Sequence, residues 1–397
     1  AGATFFDCKL PQTLMSQTNF NNARFWFPDF TGSVFSGANL TDTTFKKAQL
    51  AHCRFEKVKM ERMNFRDQIL EKIAFEECDL SNSFFQGTNI KDVTFEKTLL
   101  NGTNFEGAIF TRVRLHLAKL RGTVLREAQL TQIEAPYSDF QGSDLQGAVF
   151  ENTNLQQANL QLINGQMLIF KHCELRGTNF SGSKLAFAQF NHLHLTDCNF
   201  QRTDLWKAEL SECQIQSCFF QEANMAEANL SGSEINESHF AFTLLNGVKA
   251  LRAKIQQSNF KGASMEQAVF SQTEIQNTMF DQAFMGQVNF EKARLFRSSF
   301  ERADLKGSLL NGTQVSRCDF RHSKLTEANL SHAKWEHVKL DGANMIMTQV
   351  QTAVFEDTDL KAARLHFTQL PENVTTPPNA TTPPMVVLSK IESGGKR

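Results

Sequence analysis

Almost every fifth residue from Phe5 to Leu370 carries a large apolar side chain, without one insertion or deletion along the run. The series opens Phe5, Leu10, Met15, Phe20, Phe25, Phe30, Phe35, Leu40 and closes Phe355, Leu360, Leu365, Leu370. Of its 74 positions only Ala135, Gly165 and Ala250 are small. The residue two places earlier is Ala, Ser, Thr, Cys or Val, with eight exceptions: Pro28, Met63, Gln68, Ile73, Ile133, Ile163, Leu168 and Leu193. Between the two sits a polar residue, often an amide or carboxylate, as in Ala38-Asn39-Leu40 and Ala303-Asp304-Leu305.

A period of five fits neither common element. An amphipathic helix repeats its apolar positions every 3.6 residues, and a half-buried strand alternates strictly. Two inward positions flanking one outward position, then a two-residue corner, describe a chain that turns by about 90° every pentad. Four pentads close one square coil, and the next coil stacks on it through parallel backbone hydrogen bonds about 4.8 Å higher. A second spacing of 20 follows. It predicts ring ladders Phe180–Phe200–Phe220–Phe240–Phe260–Phe280–Phe300–Phe320 and Phe5–Phe25–Phe45–Phe65–Phe85–Phe105.

These residues closely resemble the pentapeptide-repeat family, whose pattern is Ala-Asp/Asn-Leu followed by two variable positions. The resemblance covers residues 5–370 of 397. It implies an all-β, right-handed quadrilateral parallel β-helix, here about 18 coils and about 90 Å long at 4.8 Å per coil. Residues 1–370 are read as this solenoid and 371–397 as a Pro/Thr-rich, linker-like tail, five of the eight prolines lying in 371–384. Within the tail, 385–391 is apolar enough to dock as a strand or cap. The chain begins inside a repeat without Met, so flanking domains are expected in a longer protein.

Composition narrows the function. There are 37 Phe but one Tyr and three Trp, as suits rings that are fully buried and need no polar partner. Lys plus Arg number 41 against 42 Asp plus Glu, which argues against a dominant polyanion partner; no nucleic-acid partner and no membrane span are expected. All eight cysteines (Cys8, Cys53, Cys78, Cys173, Cys198, Cys213, Cys218, Cys318) occupy the small inward position, so they read as compact core residues. Free thiols favour a reducing compartment. With the resemblance, that implies the bacterial cytoplasm, or export by a specialised secretion system.

No nucleophile–base pair, phosphate-cradling loop or paired carboxylate is legible, and a rod filled by its own side chains has no pocket. The chain is read as no enzyme, with no cofactor and no metal site. His172, His192 and Glu212 do fall on one outward column, beside Glu174 and His194, which reads as an exposed polar ladder ahead of the alternative, a divalent-metal site. Arg112, Arg114, His116, Lys119, Arg121 and Arg126 form a local basic run.

Apolar residues at outward corners are the stronger lead. Trp26 and Phe27 fill one corner; Met167, Phe187 and Trp206 share one side over three successive coils; Ile346, Met347 and Phe367 repeat this further on. Gly165 adjoins the middle group and breaks the core pattern, so a functional or strained site is expected there. The leading reading is a non-enzymatic scaffold presenting a rigid surface to an unidentified protein, in a larger secretion-associated or effector-like bacterial protein; end-to-end self-association is a further expectation. The alternative is a DNA mimic that binds a type II topoisomerase (DNA gyrase), a function of the quinolone-resistance members that the resemblance brings in. That function needs a negative stripe, which Lys46, Lys47 and the basic run interrupt.

Overall fold

A chain that turns sharply every five residues must bend its backbone at each corner. The computed structural model, which describes residues 2–66, 68–360, 362–366 and 368, shows how it does so. The second residue of almost every corner is left-handed. Fifty-three of these are not glycine, with φ between 45° at Asp357 and 63° at Glu327. A left-handed L-residue costs about 1 kcal/mol. Stacking offsets that cost: at most corners the left-handed residue's N–H donates to a carbonyl of the next coil, as from Phe27 to Lys46 at 2.9 Å and Met167 to Ala186 at 3.0 Å. Seventeen corner glycines take the same conformation without strain.

Pairing between coils is parallel, each residue facing the one four pentads further on, as in Phe110 opposite Leu130 and Ile235 opposite Ile255. The described residues contain no helix and twenty-two strands of three residues each. The strands change sides along the chain. Near the start two opposite sides are extended, one through Thr4–Phe6, Arg24–Trp26 and Thr44–Lys46, the other from Leu14–Ser16 to Ala74–Glu76. From Ile69–Glu71 to Ile169–Lys171 a third side carries a six-stranded sheet. From His194–Thr196 to Val354–Glu356 the second side carries nine strands. Other sides meet through isolated bridges, and there the corner closes on itself: the Ala128 N–H donates to the Leu125 carbonyl at 3.1 Å.

The core is what the period promised. Rings from Phe180 to Phe320 stack in one unbroken column with centroids 4.5 to 5.0 Å apart. The column beginning at Phe5 is less regular. Phe25–Phe45 and Phe45–Phe65 are tilted, at 5.5 and 6.5 Å, while Phe65–Phe85 and Phe85–Phe105 stack at 4.7 and 4.8 Å. A further column, Phe35–Phe55–Phe75–Phe95, stacks at 4.8 to 5.1 Å.

The small inward position has a polar task. At many sites its hydroxyl or thiol donates to the central-residue carbonyl of the preceding coil: Thr88 to Phe65 at 2.8 Å, Cys53 to Phe30 at 2.9 Å, Ser233 to Leu210 at 2.6 Å; at others it turns back to its own coil, as Thr273 does to Phe270 at 2.6 Å. Even the exception Gln68 donates to the preceding coil, through Nε2 to Phe45 at 3.0 Å. A buried carbonyl has a second lone pair, and these donors use it.

Gly165 has a packing explanation. A Cβ there would stand 2.7 Å from Leu185 Cδ2, 3.1 Å from Leu168 Cδ2 and 3.3 Å from Ile163 Cδ1. Ile163 and Leu168 are two of the oversized residues at small positions, so volume has moved from one inward site to its neighbours. Restoring the repeat's usual residue is therefore expected to harm. Gly165→Leu should cost about 1–3 kcal/mol through overpacking, measured by denaturant unfolding, and Ile163→Ala with Leu168→Ala should relieve it. Stabilisation by Gly165→Leu alone would contradict this packing account.

The 371–397 tail, its 385–391 segment and Phe367 lie outside the described residues.

Candidate binding surface

Each coil has four corners, and one of them runs through residues 6–7, 26–27, 46–47 and onward in steps of 20. Among the described residues this corner holds Phe6, Trp26, Phe27, Met167, Phe187, Trp206, Ile346 and Met347. The other three corners together hold Leu117, Tyr137, Leu162, Phe242, Leu251 and Phe296. The three groups read separately from the sequence thus share one edge of the coil. Left-handed φ at Phe27, Met167, Phe187 and Met347, 54° to 61°, turns these side chains outward.

The groups differ in how far their own neighbours cover them. In the middle group the Phe187 ring meets Trp206 edge to face at 4.9 Å. The Lys207 ammonium lies 4.5 Å from the Trp206 ring and pairs with Glu227 at 3.2 Å, and the Trp206 indole N–H donates to Glu227 at 3.4 Å. Trp206 is therefore half-buried and polar-satisfied, while Met167 and Phe187 stay 49% and 44% exposed. In the first group Lys46 sits 4.2 Å from the Trp26 ring, Lys47 lies 5.5 Å from Phe27, and Phe6 packs edge-on to Phe27 at 5.6 Å. Met347, in the third, is 52% exposed.

A further apolar surface lies beside this corner. Phe242, Leu244 and Phe284 are exposed on the neighbouring side, with Ser264 between the last two in the bridge order and the Phe242 ring lying against Gly262. The sequence carries its signal: Leu244 and Phe284 occupy the outward position that elsewhere holds Asn224, Asp304 and Lys324. Open troughs of about 320 to 490 Å³ also run along the sides, one of them beside Phe284 and another along His194, Gln214, Glu234 and Lys254, where a pocketless rod was expected.

The charged candidates resolve differently. The basic run is paired: Arg112 with Asp92 at 2.6 Å, Arg121 with Asp139 at 2.6 Å, Arg126 with Asp144 at 2.6 Å. Arg114 donates to Thr94 at 2.8 Å. The Arg112 hydrogen bond holds the Asp92 carboxyl below its usual range. These partners lie one coil away along the rod, which a linear reading of charge does not reveal. His172, His192 and Glu212 sit at left-handed corner positions with φ 52°, 62° and 57°. Glu212 lies over the space left by Gly232, and Glu174 accepts from Gln156 at 2.7 Å. Among the described residues no three His, Cys, Asp or Glu side chains group as metal ligands. No described helix is long and apolar enough to cross a membrane.

A search among solved structures finds 53 matching chains. HetL, a pentapeptide repeat protein involved in heterocyst differentiation regulation from the cyanobacterium Nostoc sp., is 21% identical over 64% of this chain and 91% of its own, with a TM-score of 0.27. QnrB1, a plasmid-mediated fluoroquinolone resistance protein, is 16% identical over 53% of this chain and 92% of its own, with a TM-score of 0.30. No curated protein matches the chain. Family models are more telling. A model described as a pentapeptide repeat region matches residues 48–125. A model of pentapeptide repeats in eight copies matches 1–37, 29–62, 123–161, 170–202, 194–232, 208–247, 251–287, 280–312 and 316–357. Two of the intervals left between these matches, 162–169 and 248–250, contain Gly165 and Ala250, where the core residue is missing. With matches over most of its length and a stacked coil of four pentads, the chain belongs to the pentapeptide-repeat family.

Proposed function

We propose that this solenoid is a non-enzymatic recognition scaffold whose binding edge is the corner bearing Met167, Phe187 and Trp206, with Trp26 and Phe27 as a second contact. The observation that carries the reading is the concentration of exposed apolar side chains on one corner of four. The other corners hold mostly charged, amide or small residues, and exposed aromatic groups are the usual anchors of protein contacts. The rod contributes rigidity. Each coil is fixed by axial hydrogen bonds and stacked rings, so an anchor reaches its partner with little ordering left to do.

The DNA-mimic alternative requires unpaired negative charge along an edge, and ion pairs across coils work against it. Asp42 is held by Arg62 at 2.8 Å, Glu222 by Arg202 at 3.0 Å and Glu234 by Lys254 at 2.8 Å. Residence in a larger, secretion-associated or effector-like bacterial protein rests on family analogy alone.

Affinity capture from bacterial lysate tests the reading, with the intact chain beside a Met167→Ser/Phe187→Ser/Trp206→Ser variant that circular dichroism shows to be folded. The expected result is a partner held by the first and released by the second, at least tenfold weaker. Equal capture by both would remove this corner as the site, and capture of gyrase subunits would favour the DNA mimic.

A further inference from the structure

We propose that the partner of the apolar corner is a second copy of this chain, lying antiparallel against it about a two-fold axis at Phe187. The proposal deepens the recognition reading above and rests on it. Its basis is the placement of the clusters. Phe27 lies eight coils before Phe187, and Met347 lies eight coils after it. Between the clusters this corner is polar or small: Gln86, Gly87, Glu106 and Gly107 on one flank, Glu266, Gln267, Gly286 and Gln287 on the other.

A two-fold axis makes a patch meet itself. Antiparallel copies pairing at Phe187 would therefore set Phe27 against the partner copy's Met347, and Trp26 against its Ile346. The interval between clusters matches as well. At the second corner position, each residue meets the one equally far beyond Phe187. Gly87 then faces Gln287, Gly107 faces Gln267, Glu127 faces Gly247 and Gly147 faces Glu227. In all four pairs one long side chain meets one glycine, so neither clash nor gap arises. Met167 faces the alkyl stem of Lys207, and Lys47, 5.5 Å from its own Phe27 ring, faces Glu327. Charge is thus complementary at that contact.

The first corner position opposes the arrangement at two points, Arg66 with Lys306 and Glu106 with Glu266. The first is softened within each copy. Arg66 lies 4.7 Å from the Phe84 ring and donates to Gln86 at 3.2 Å, and Lys306 pairs with Glu327 at 3.7 Å. Such exposed like charges cost little in salt, whereas desolvated aromatic contacts are the usual source of interface affinity. A parallel dimer would stack each cluster on its own copy, leaving Lys46 and Lys47 against the same lysines.

Sedimentation velocity of the full chain over a concentration series should show a dimer, and Phe187→Glu should be monomeric over the same series. The substitution fits the backbone, because Glu127, Glu227 and Glu327 occupy the same column with φ 55°, 57° and 63°. Orientation is read by mixing a Phe27→Cys chain with a Met347→Cys chain under mild oxidation: the 27–347 disulfide is expected, with Phe242→Cys on another corner as the unlinked control. A wild-type monomer, a Phe187→Glu dimer, or 27–27 linkage in place of 27–347 would each overturn the antiparallel pair. A monomer that still loses its captured partner in the triple-serine variant would overturn the pair and leave the recognition reading standing.

Discussion

Above about pH 9 the rod is expected to lose stability steeply, and its buried thiols are the cause. Burial away from water pushes Cys53, Cys78 and Cys318 from 9.0 up to about 12, and Cys173 and Cys213 up to about 11. Cys198 is raised too, first by its hydrogen bond with Cys218 in the next coil and then by burial. A thiol whose folded pKa exceeds its unfolded value binds its proton more tightly in the native state. Its contribution is therefore whole below the unfolded value near 9 and is lost progressively as pH rises towards the folded value of 11 to 12. A shift of three units corresponds to about 4 kcal/mol for one thiol. Several such thiols together match the about 5–15 kcal/mol that holds an ordinary domain. Alkaline unfolding followed by circular dichroism should therefore show a midpoint that moves upward in a Cys53→Ser/Cys78→Ser/Cys318→Ser variant. Serine is the natural replacement, since Ser83 and Ser183 occupy the same inward position and donate to the coil below at 3.2 and 2.8 Å. An unmoved midpoint would remove these three thiols as the cause. Below pH 9 the same thiols should resist alkylation while the chain is folded, because the thiolate is the reactive form.

Phe240→Ala should be the costliest single change in the second half of the rod. The ring is fully buried, stacked 4.6 Å from Phe220 and 4.5 Å from Phe260. Removing it leaves a cavity between two rings that the stiff coils cannot close, and such truncations cost about 3–5 kcal/mol. Phe240→Leu, which installs the other common residue of the column, should cost under about 1.5 kcal/mol. Each coil contacts only its neighbours, so the loss concentrates at the flanking coils. Amide exchange around residues 220–260 should accelerate in the alanine variant while the first coils keep their rates. Uniform acceleration along the chain would show a fully cooperative rod.

The fold was legible because a period of five leaves few alternatives. Phe5 to Leu370 named the inward column, and the step of 20 named the ladders. Which side would carry continuous strands was not legible. Ile69, Ile109 and Ile169 suit a strand, but so do Phe84 and Val124, which make only isolated bridges. Backbone pairing there depends on whether the following corner closes its own hydrogen bond, a choice that no residue type signals. Sequence shows the size of the small inward column but not its hydrogen bonds. Its hydroxyls and thiols also satisfy carbonyls one coil away, which explains why Thr88, Thr103 and Cys78 stand where Ala would fit. Charge misled in the linear reading, since Arg112 finds Asp92 one coil back and Arg126 finds Asp144 one coil on. The candidate corner groups were found one at a time. Their common edge emerges only when each number is placed on the coil.

Duplicating residues 191–200 immediately after Phe200 separates recognition by one corner from recognition by the rod as a whole. The insert adds two pentads, so every coil remains complete while Trp206 turns half a coil away from Phe187. No side chain is lost and the rest of the sequence is unchanged. The expected result is a folded rod by circular dichroism, with a thermal midpoint near the parent's and with partner capture abolished. Unfolding of the variant would contradict the coil of equivalent pentads, and undiminished capture by a folded variant would contradict recognition by a single corner.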